Sequence, residues 1–131
     1  MRTTAAKSVR AVMTDRVLAV TVTTTPEVAL RLMTESGIRH LPVMDGERCV
    51  GLAHECDLLW TLWTHGLTGR TVGACCRTPV PVVHPDDPAT VAAARMSDGG
   101  CDAVLVTAGG AIVGIVTAAD LVGHLAALTE D

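Results

Sequence analysis

The sequence predicts a mixed α/β fold in which one β-α-β-β-α unit occurs twice. Three observations support this prediction. The chain matches itself without gaps when it is shifted by 63 positions. Each copy contains a segment with apolar residues at helical spacing that starts at a proline and ends at a glycine. Each copy also contains two short apolar runs separated by a glycine-containing turn, which is typical of a β-hairpin.

The internal repeat matches glycines and apolar residues at irregular intervals. For example, Val50-Gly51 aligns with Val113-Gly114. No insertion is needed to keep the two copies in register over their whole length. We therefore predict two repeats, at residues 8–68 and 71–131, joined at residues 68–70.

The first half of each repeat is predicted to be a short strand followed by a helix. The strands cover residues 18–22 and 81–83. The helices begin at Thr25-Pro26 and Asp87-Pro88, where the first residue serves as the N-cap and the proline takes the first helical position. They end near Gly37 and Gly99-Gly100, because glycine adopts the left-handed conformation that closes a helix.

The second half of each repeat is predicted to be a hairpin followed by a helix. The hairpin strands cover residues 41–44 and 49–53 in the first repeat and residues 103–107 and 112–116 in the second. Asp45-Gly46 and Gly109-Gly110 separate these strands, and both dipeptides favour tight turns. The final helices are expected over residues 55–65 and 118–128.

The two repeats are expected to need each other. A unit of about 60 residues buries only about 60% of the surface of its unfolded chain. The strand at residues 112–116 is apolar almost throughout, so it requires cover on both faces. We therefore expect the repeats to pack sheet to sheet with pseudo-twofold symmetry, leaving clefts between them.

The composition is that of a globular protein and argues against several partners. Hydrophobic residues make up 49% of the 131 residues and charged residues 18%. The net charge of −4, with two Trp and neither Tyr nor Phe, argues against nucleic-acid binding. No apolar run approaches the roughly 18 residues of a membrane span, and no secretory signal is recognised. We expect a cytoplasmic protein whose five cysteines are reduced.

The two copies carry the motifs of a known family. They are GIRHLPVMD at residues 37–45, GLAHECDL at 51–58 and GIVTAADL at 114–121. With these motifs, the chain resembles a tandem pair of CBS domains, also called a Bateman module. The resemblance covers nearly the whole chain. It implies a non-catalytic regulatory module that binds AMP, ADP, ATP, S-adenosylmethionine or a related adenosine compound between the repeats and regulates a partner protein.

The resemblance implies one ligand site around the second repeat. Asp120 would accept hydrogen bonds from both ribose hydroxyls, and Thr117 would meet a ribose or phosphate oxygen at the helix N-terminus. Ala103 and Val104 would line the adenine slot, and Thr14 would close the site. Asp102-Ala103 offers no cation for a phosphate here, and Asp102 adds a repelling charge.

A second site is implied around the first repeat. His54 and Asp57 take the positions of Thr117 and Asp120, so this site has a titratable ring in place of the usual hydroxyl. Ile38 and Leu41 would surround the base, and Arg77 stands where Thr14 stands in the other site. The cationic phosphate ligands of this site are expected to be Arg39 and His40.

Several alternatives remain open from the sequence alone. Thr117-x-x-Asp120 is also a capping box that needs no ligand, and the Arg39-His40 pair is also compatible with a solvated edge. The clefts of such a module can also be empty, leaving a structural scaffold, and the Cys and His residues leave room for a thiol- or metal-responsive protein. The sequence has neither a G-x-S-x-G motif nor a P-loop, so we do not expect an enzyme. The cysteine spacings match no zinc pattern, so we expect neither a bound metal nor a cofactor other than the adenosyl ligand.

The sequence also suggests self-association. Trp60 and Trp63 lie three residues apart on a predicted helix, which is typical of a core or interface stripe. Gly123 and Ala126 occupy the matching positions of the second repeat. Large residues packed against small ones would suit a homodimer, and helices at this position form the dimer face in the family that the chain resembles.

Overall fold

The computed structural model describes residues 7–67 and 69–129, and within them it contains six helices and two three-stranded sheets. In chain order the elements are α1 (Val9–Val12), β1 (Val20–Thr21), α2 (Pro26–Ser36), β2 (His40–Asp45), β3 (Arg48–His54), α3 (Glu55–His65), α4 (Val72–Cys75), β4 (Val82–Val83), α5 (Ala89–Gly99), β5 (Ala103–Ala108), β6 (Ala111–Thr117) and α6 (Ala118–Thr129). The predicted mixed α/β class and the repetition of one unit are confirmed.

The chain forms two compact units. One is Leu18–Val80, called the Asp57 unit below, and the other combines Met1–Val17 with Pro81–Asp131, called the Asp120 unit. Their sheets have the same topology. In the Asp57 unit β1 is parallel to β2, which is antiparallel to β3, and in the Asp120 unit β4, β5 and β6 repeat this order.

The compact units differ from the sequence repeats in where their first helix comes from. The N–H of Val9 donates to the carbonyl of Asp87 at 2.8 Å, and the N–H of Val72 donates to the carbonyl of Thr24 at 2.8 Å. Each of these short helices, α1 and α4, therefore joins the sheet and helices of the other repeat. The sequence predicted neither helix, because four residues are too few to show a helical period.

The α2 helix and its C-terminal end form as predicted, whereas the start of α5 does not. Pro26 is the first residue of α2, and Gly37 and Gly100 close α2 and α5 with φ values of 68° and 62°. The predicted N-cap at Asp87 is wrong, because α5 begins at Ala89 and Pro88 is the N-cap. The Asp87 carboxylate instead accepts a hydrogen bond of 2.8 Å from the N–H of His84.

One of the two hairpin turns is shifted by a residue from its predicted position. The turn at Gly109-Gly110 is confirmed, and both glycines have positive φ values, 60° and 81°. In the Asp57 unit, Asp45 is the last residue of β2 and pairs with Arg48, so the turn is at Gly46 and Glu47. The carboxylate of Asp45 thus belongs to a strand end and not to the turn.

Each unit has a small apolar core between its sheet and helices. Full burial of one such side chain stabilises the fold by about 1.5–3 kcal/mol. The Asp57 unit buries Val20, Ala29, Met33, Leu41, Val43, Ala53, Leu58 and Val72. The Asp120 unit buries Val9, Val83, Ala92, Met96, Val104, Val106 and Val116. Val72 and Val9, from the exchanged short helices, are both completely buried, so these helices are integral to the core of the unit that they join.

Candidate functional site

In both units the last strand leads directly into the last helix. β3 ends at His54 and α3 begins at Glu55, and β6 ends at Thr117 and α6 begins at Ala118. The N–H of Glu55 donates to the carbonyl of Arg39 at 3.0 Å, and the N–H of Ala118 donates to the carbonyl of Asp102 at 2.8 Å. These equivalent bonds hold the positive end of each helix beside the start of the middle strand, where the predicted phosphate and base contacts lie.

Thr117 and Asp120 form a reciprocal capping box on α6. The N–H of Thr117 donates to Oδ2 of Asp120 at 2.9 Å, and the N–H of Asp120 donates to the hydroxyl of Thr117 at 3.3 Å. This confirms the capping interpretation of the motif. The cap leaves the Asp120 carboxylate able to accept further hydrogen bonds, because the two oxygens of an ionised Asp accept about four.

Asp57 has a different partner. His54, its counterpart of Thr117, makes no side-chain capping bond to α3. The Arg77 guanidinium instead forms a bidentate ion pair with the Asp57 carboxylate. Its Nε donates to Oδ2 at 2.7 Å, and its Nη2 donates to Oδ1 at 3.2 Å. The hydrogen bond and charge of Arg77, together with a smaller contribution from His54, lower the pKa of Asp57 against the opposing effect of its burial.

Arg77 and Thr14 are each positioned by an isolated β-bridge of the backbone. Arg77 forms an isolated antiparallel bridge with Leu52 of β3, with N–H···O distances of 2.9 and 3.0 Å. Thr14 forms the equivalent bridge with Ile115 of β6, with both distances 2.9 Å. The structure therefore brings Arg77 into the unit of Asp57 and Thr14 into the unit of Asp120, in the pairings that the resemblance implied.

The glycine next to each bridge makes room for the crossing segment. A Cβ atom on Gly51 would overlap Sγ of Cys76 and lie 3.1 Å from the carbonyl oxygen of Arg77. A Cβ atom on Gly114 would lie 2.6 Å from Sδ of Met13 and 3.0 Å from the carbonyl oxygen of Thr14. These two glycines align in the sequence repeat, so their repetition could have indicated that another segment approaches closely here.

His40 and His54 face each other across β2 and β3. The two residues are register partners, and their rings meet edge to face with centroids 4.9 Å apart. His54 is buried, with 5% of its surface exposed. The corresponding residues of the Asp120 unit are Ala103 and Thr117, which pair in the same register. The imidazole pair is thus a feature of the Asp57 unit that its sister unit lacks.

The remaining predicted site residues divide into exposed and buried groups. Arg39 is 80% exposed in its side chain and lies 4.0 Å from the Glu55 carboxylate, a weak surface contact. Leu41 and Val104 have their side chains in the cores of the two units. Ala103 is also fully buried, and Ile38 packs partly buried against the core of the Asp57 unit. The side chains of Leu41 and Val104 are therefore not exposed for contact with a ligand.

Sequence reasoning missed the direct pairing of Arg77 with Asp57. The two residues are 20 positions apart, and no helical or strand period connects them. It also left open whether Trp60 and Trp63 belong to a core. The structure shows them 65% and 84% exposed, so they are not core residues of their unit.

The CBS domain model matches the sequence twice, at residues 9–63 and 72–127. The chain belongs to the CBS domain family. Such CBS domain pairs are generally regulatory modules without catalytic activity. No curated protein matches the sequence. None of the helices within the described residues is long and apolar enough to cross a membrane.

Solved CBS domain pairs share this fold. The CBS domain pair of protein MJ0100, in complex with 5′-methylthioadenosine and S-adenosyl-L-methionine, has a TM-score of 0.84 and 22% identity, with 92% of this chain and 97% of that chain covered. A protein with CBS domains from Burkholderia ambifaria has a TM-score of 0.79 and 26% identity, with 86% of this chain and 85% of that chain covered. Hypoxic Response Protein I, with two coordinated zinc ions, has a TM-score of 0.74 and 26% identity, with 90% and 98% covered.

Proposed function

We propose that this CBS domain pair is a non-catalytic regulatory module that binds an adenosine-containing ligand at the starts of α3 and α6. The observation that carries the proposal is the repeated placement of a carboxylate, Asp57 or Asp120, in the first turn of a helix that directly follows a strand. In both units a second segment, carrying Arg77 or Thr14, forms a β-bridge with the strand that precedes this helix. The adenosyl ligands of the MJ0100 structure, which has the same fold, support this class of ligand.

The chemistry of these helix starts suits a nucleoside. A carboxylate accepts two hydrogen bonds from neighbouring hydroxyls, so ribose is a natural partner. The positive end of a helix attracts an anion such as phosphate. Adenine would lie against the backbone of Leu41 or Val104 and between aliphatic side chains, because the chain has only two aromatic residues, both Trp. The ligand is expected to alter the affinity of the module for a regulated protein.

Thermal unfolding against a ligand panel tests this proposal. A ligand at about 100 times its Kd stabilises the folded state by about 2.7 kcal/mol, which raises Tm by several degrees. We expect such a shift with at least one of AMP, ADP, ATP, S-adenosylmethionine and NAD. Asp57→Ala combined with Asp120→Ala should abolish it, and Asp98→Ala, which changes an exposed acid on α5, should not. Flat curves for the whole panel would favour a scaffold with empty sites.

A homodimer is the second part of the proposal. Trp60, Trp63 and Leu67 are 65%, 84% and 77% exposed, and Val122 and Leu125 of α6 are 64% and 56% exposed. Large apolar side chains exposed on one helix are typical of an association surface. We propose that the chain self-associates through α3 and α6, with Trp side chains packed against the smaller residues of the other helix. The predicted contribution of Ala126 concerns a side chain outside those that the structure describes.

Metal binding is a second candidate function, favoured by the His40–His54 pair. Imidazole nitrogen is a common zinc ligand, and two imidazoles fit part of a four-ligand site. Hypoxic Response Protein I, which is 26% identical to this chain, holds two zinc ions. A Tm shift with zinc alone that His40→Ala removes would favour this function over nucleoside binding. A shift with adenosine compounds and none with zinc would exclude it.

The cellular setting is also part of the proposal. We keep the sequence-based prediction of a cytoplasmic protein because all five cysteines are free and their spacings suggest no disulfide framework. Fractionation of the native protein, followed by mass spectrometry for co-purifying small molecules, tests the location and the ligand class together.

A further inference from the structure

We infer that Trp60 is part of the Asp57 site and packs against the sugar of a nucleoside bound there. This inference rests on the proposed function and adds one contact residue to it. It concerns the Asp57 unit alone, because Gly123 takes the position of Trp60 in the Asp120 unit and has no side chain to offer. The Asp57 site would thus recognise the C–H groups of ribose in addition to its hydroxyls.

Trp60 follows Asp57 by three residues on α3, and this spacing makes the two side chains neighbours. Successive helical residues are rotated by about 100°, so Trp60 lies about 60° around the helix from Asp57 and about 4.5 Å along its axis. A long side chain on a helix also leans toward the N-terminus and covers the preceding turn. The indole of Trp60 therefore covers the turn that carries Asp57.

Trp60 and Asp57 are both accessible to a ligand. Trp60 is 65% exposed, whereas Leu58, which faces the core from the same turn, is completely buried. The side chain of Asp57 is 29% exposed. An apolar ring surface beside an accessible carboxylate suits a ligand that carries hydroxyls and C–H groups on one small ring. Ribose has this chemistry, with its hydroxyls directed to Asp57 and its C–H groups against the indole.

The ion pair between Asp57 and Arg77 is compatible with this contact. Arg77 donates one hydrogen bond to each carboxylate oxygen of Asp57, at 3.2 Å to Oδ1 and 2.7 Å to Oδ2. The two oxygens of an ionised Asp accept about four hydrogen bonds. The carboxylate can therefore accept from ribose hydroxyls while Arg77 stays in place.

Trp60 also belongs to the proposed association surface, and Trp63 separates the two roles. Trp63 follows Asp57 by six residues, so it lies about 9 Å along the axis and about 120° around the helix from it. This position is one turn farther from the carboxylate than that of Trp60. Trp63 is 84% exposed, so it shares the association surface without bordering the Asp57 site. It is therefore the matched control for Trp60.

Tryptophan fluorescence during titration with adenosine is the first test. Asp120→Ala leaves the Asp57 unit to bind adenosine, and Trp63→Phe leaves Trp60 as the single emitter. Excitation at the red edge of the tryptophan band avoids absorption by adenosine. We expect Trp60 emission to change with the Kd that calorimetry gives, and Trp63 emission, in Asp120→Ala protein with Trp60→Phe, to stay constant. Constant Trp60 emission at saturating adenosine, or equal changes from both tryptophans, would overturn the inference.

Calorimetry of alanine variants is the second test. In Asp120→Ala protein, Trp60→Ala should weaken adenosine binding about fivefold, the scale of one aromatic contact. Trp63→Ala should change it by less than about twofold. Adenine, which lacks the sugar, should bind equally well with and without Trp60→Ala. Equal losses from the two alanine variants would assign the effect to self-association and overturn the inference, as would an equal loss for adenine.

The outcomes separate this inference from the proposed function. If Asp120→Ala protein binds adenosine and Trp60 changes in neither test, the inference fails and the proposed function stands. If Asp120→Ala protein does not bind adenosine but the wild-type protein binds a compound of the ligand panel, the result is the same. If the wild-type protein binds none of AMP, ADP, ATP, S-adenosylmethionine and NAD, both fail.

Discussion

Thr117 and Asp120 cap α6 by exchanging hydrogen bonds, the hydroxyl of one accepting from the N–H of the other and the carboxylate accepting in return, at 3.3 and 2.9 Å. The equivalent residue at the start of α3, His54, makes no side-chain capping bond. The aspartate in the first helical turn therefore differs in its partner between the repeats. Asp120 takes part in a helix cap, whereas Asp57 forms an ion pair with Arg77. This divergence gives the two units different responses to substitution and to pH.

Thr117→Val should lower the free energy of unfolding by about 1 kcal/mol. The substitution keeps the shape and branching of the side chain and removes the hydroxyl that accepts from the N–H of Asp120. Urea denaturation at pH 7 provides the measurement. Thr90→Val, at an exposed position of α5, is the matched control and should change stability by less than about 0.5 kcal/mol. Equal effects of the two substitutions would mean that the cap does not stabilise α6.

The Asp57–Arg77 pair should make stability depend on pH in the acid range. The folded-state pKa of Asp57 lies below the ordinary value of about 3.9, so its contribution is present in full above that value and is lost as the pH falls through the lowered pKa. Because the pair is partly exposed, the contribution should be at most about 1 kcal/mol. Urea denaturation from pH 2 to 7 should show wild type and Arg77→Met differing at neutral pH and converging in acid.

Arg31→Met is the control for this pH experiment, because Arg31 is an exposed residue of α2 in the same unit. Its difference from wild type should be small and should not depend on pH below 5. If Arg77→Met behaves in the same way, the ion pair contributes nothing to stability in solution.

The close approach at Gly51 and Gly114 predicts a second class of destabilising substitution. Alanine at either position would place a methyl group against a sulfur atom and a backbone carbonyl of the crossing segment. We expect each to cost about 1–3 kcal/mol of folding free energy, the usual range for overpacking. Ser97→Ala, at an exposed position of α5, adds no atom and should change stability by less than about 0.5 kcal/mol. Thermal unfolding at one protein concentration should therefore show a lower Tm for both glycine variants and an almost unchanged Tm for Ser97→Ala.

Cysteine alkylation should distinguish the partly buried thiol of Cys76 from the exposed thiol of Cys56. Burial raises the pKa of Cys76, so this residue carries little of the reactive thiolate at neutral pH. Cys56 is exposed at the start of α3. With iodoacetamide at pH 7.5, peptide mass mapping should detect labelling of Cys56 well before that of Cys76, and urea should remove the difference. Faster labelling of Cys76 in the native protein would contradict its partial burial.

The sequence predicted those features that local chemistry determines. Pro26 and Gly37 bound α2 because a proline suits the first helical position and a glycine suits the left-handed closing residue. Asp87 shows how such signals compete. Its carboxylate can cap a helix or accept from a nearby turn N–H, and it takes the N–H of His84 because the helix starts later, at Ala89.

Features that depend on long-range packing could not be predicted from the sequence. Nothing local indicates that Val9 is buried beside α5 or that Val72 is buried beside α3, because each lies in a four-residue helix whose contacts come from the other repeat. The candidate site residues were proposed through the family motifs, since the motifs give positions. The motifs did not predict the pairing of Asp57 with Arg77, because this pairing depends on side-chain geometry at the β-bridge between Leu52 and Arg77.

Replacing both tryptophans of α3 should dissociate the proposed homodimer. Trp60 and Trp63 are 65% and 84% exposed in the single chain, and each Trp carries roughly 150–250 Å² of surface that association can bury. We expect wild type to elute as a dimer at micromolar concentration, and Trp60→Ser with Trp63→Ser to elute as a folded monomer, by size-exclusion chromatography with light scattering. Val28→Ser, which changes another apolar side chain that is 49% exposed, should leave the dimer intact. A wild-type monomer, or a dimer that survives the double substitution, would place the association surface elsewhere or exclude it.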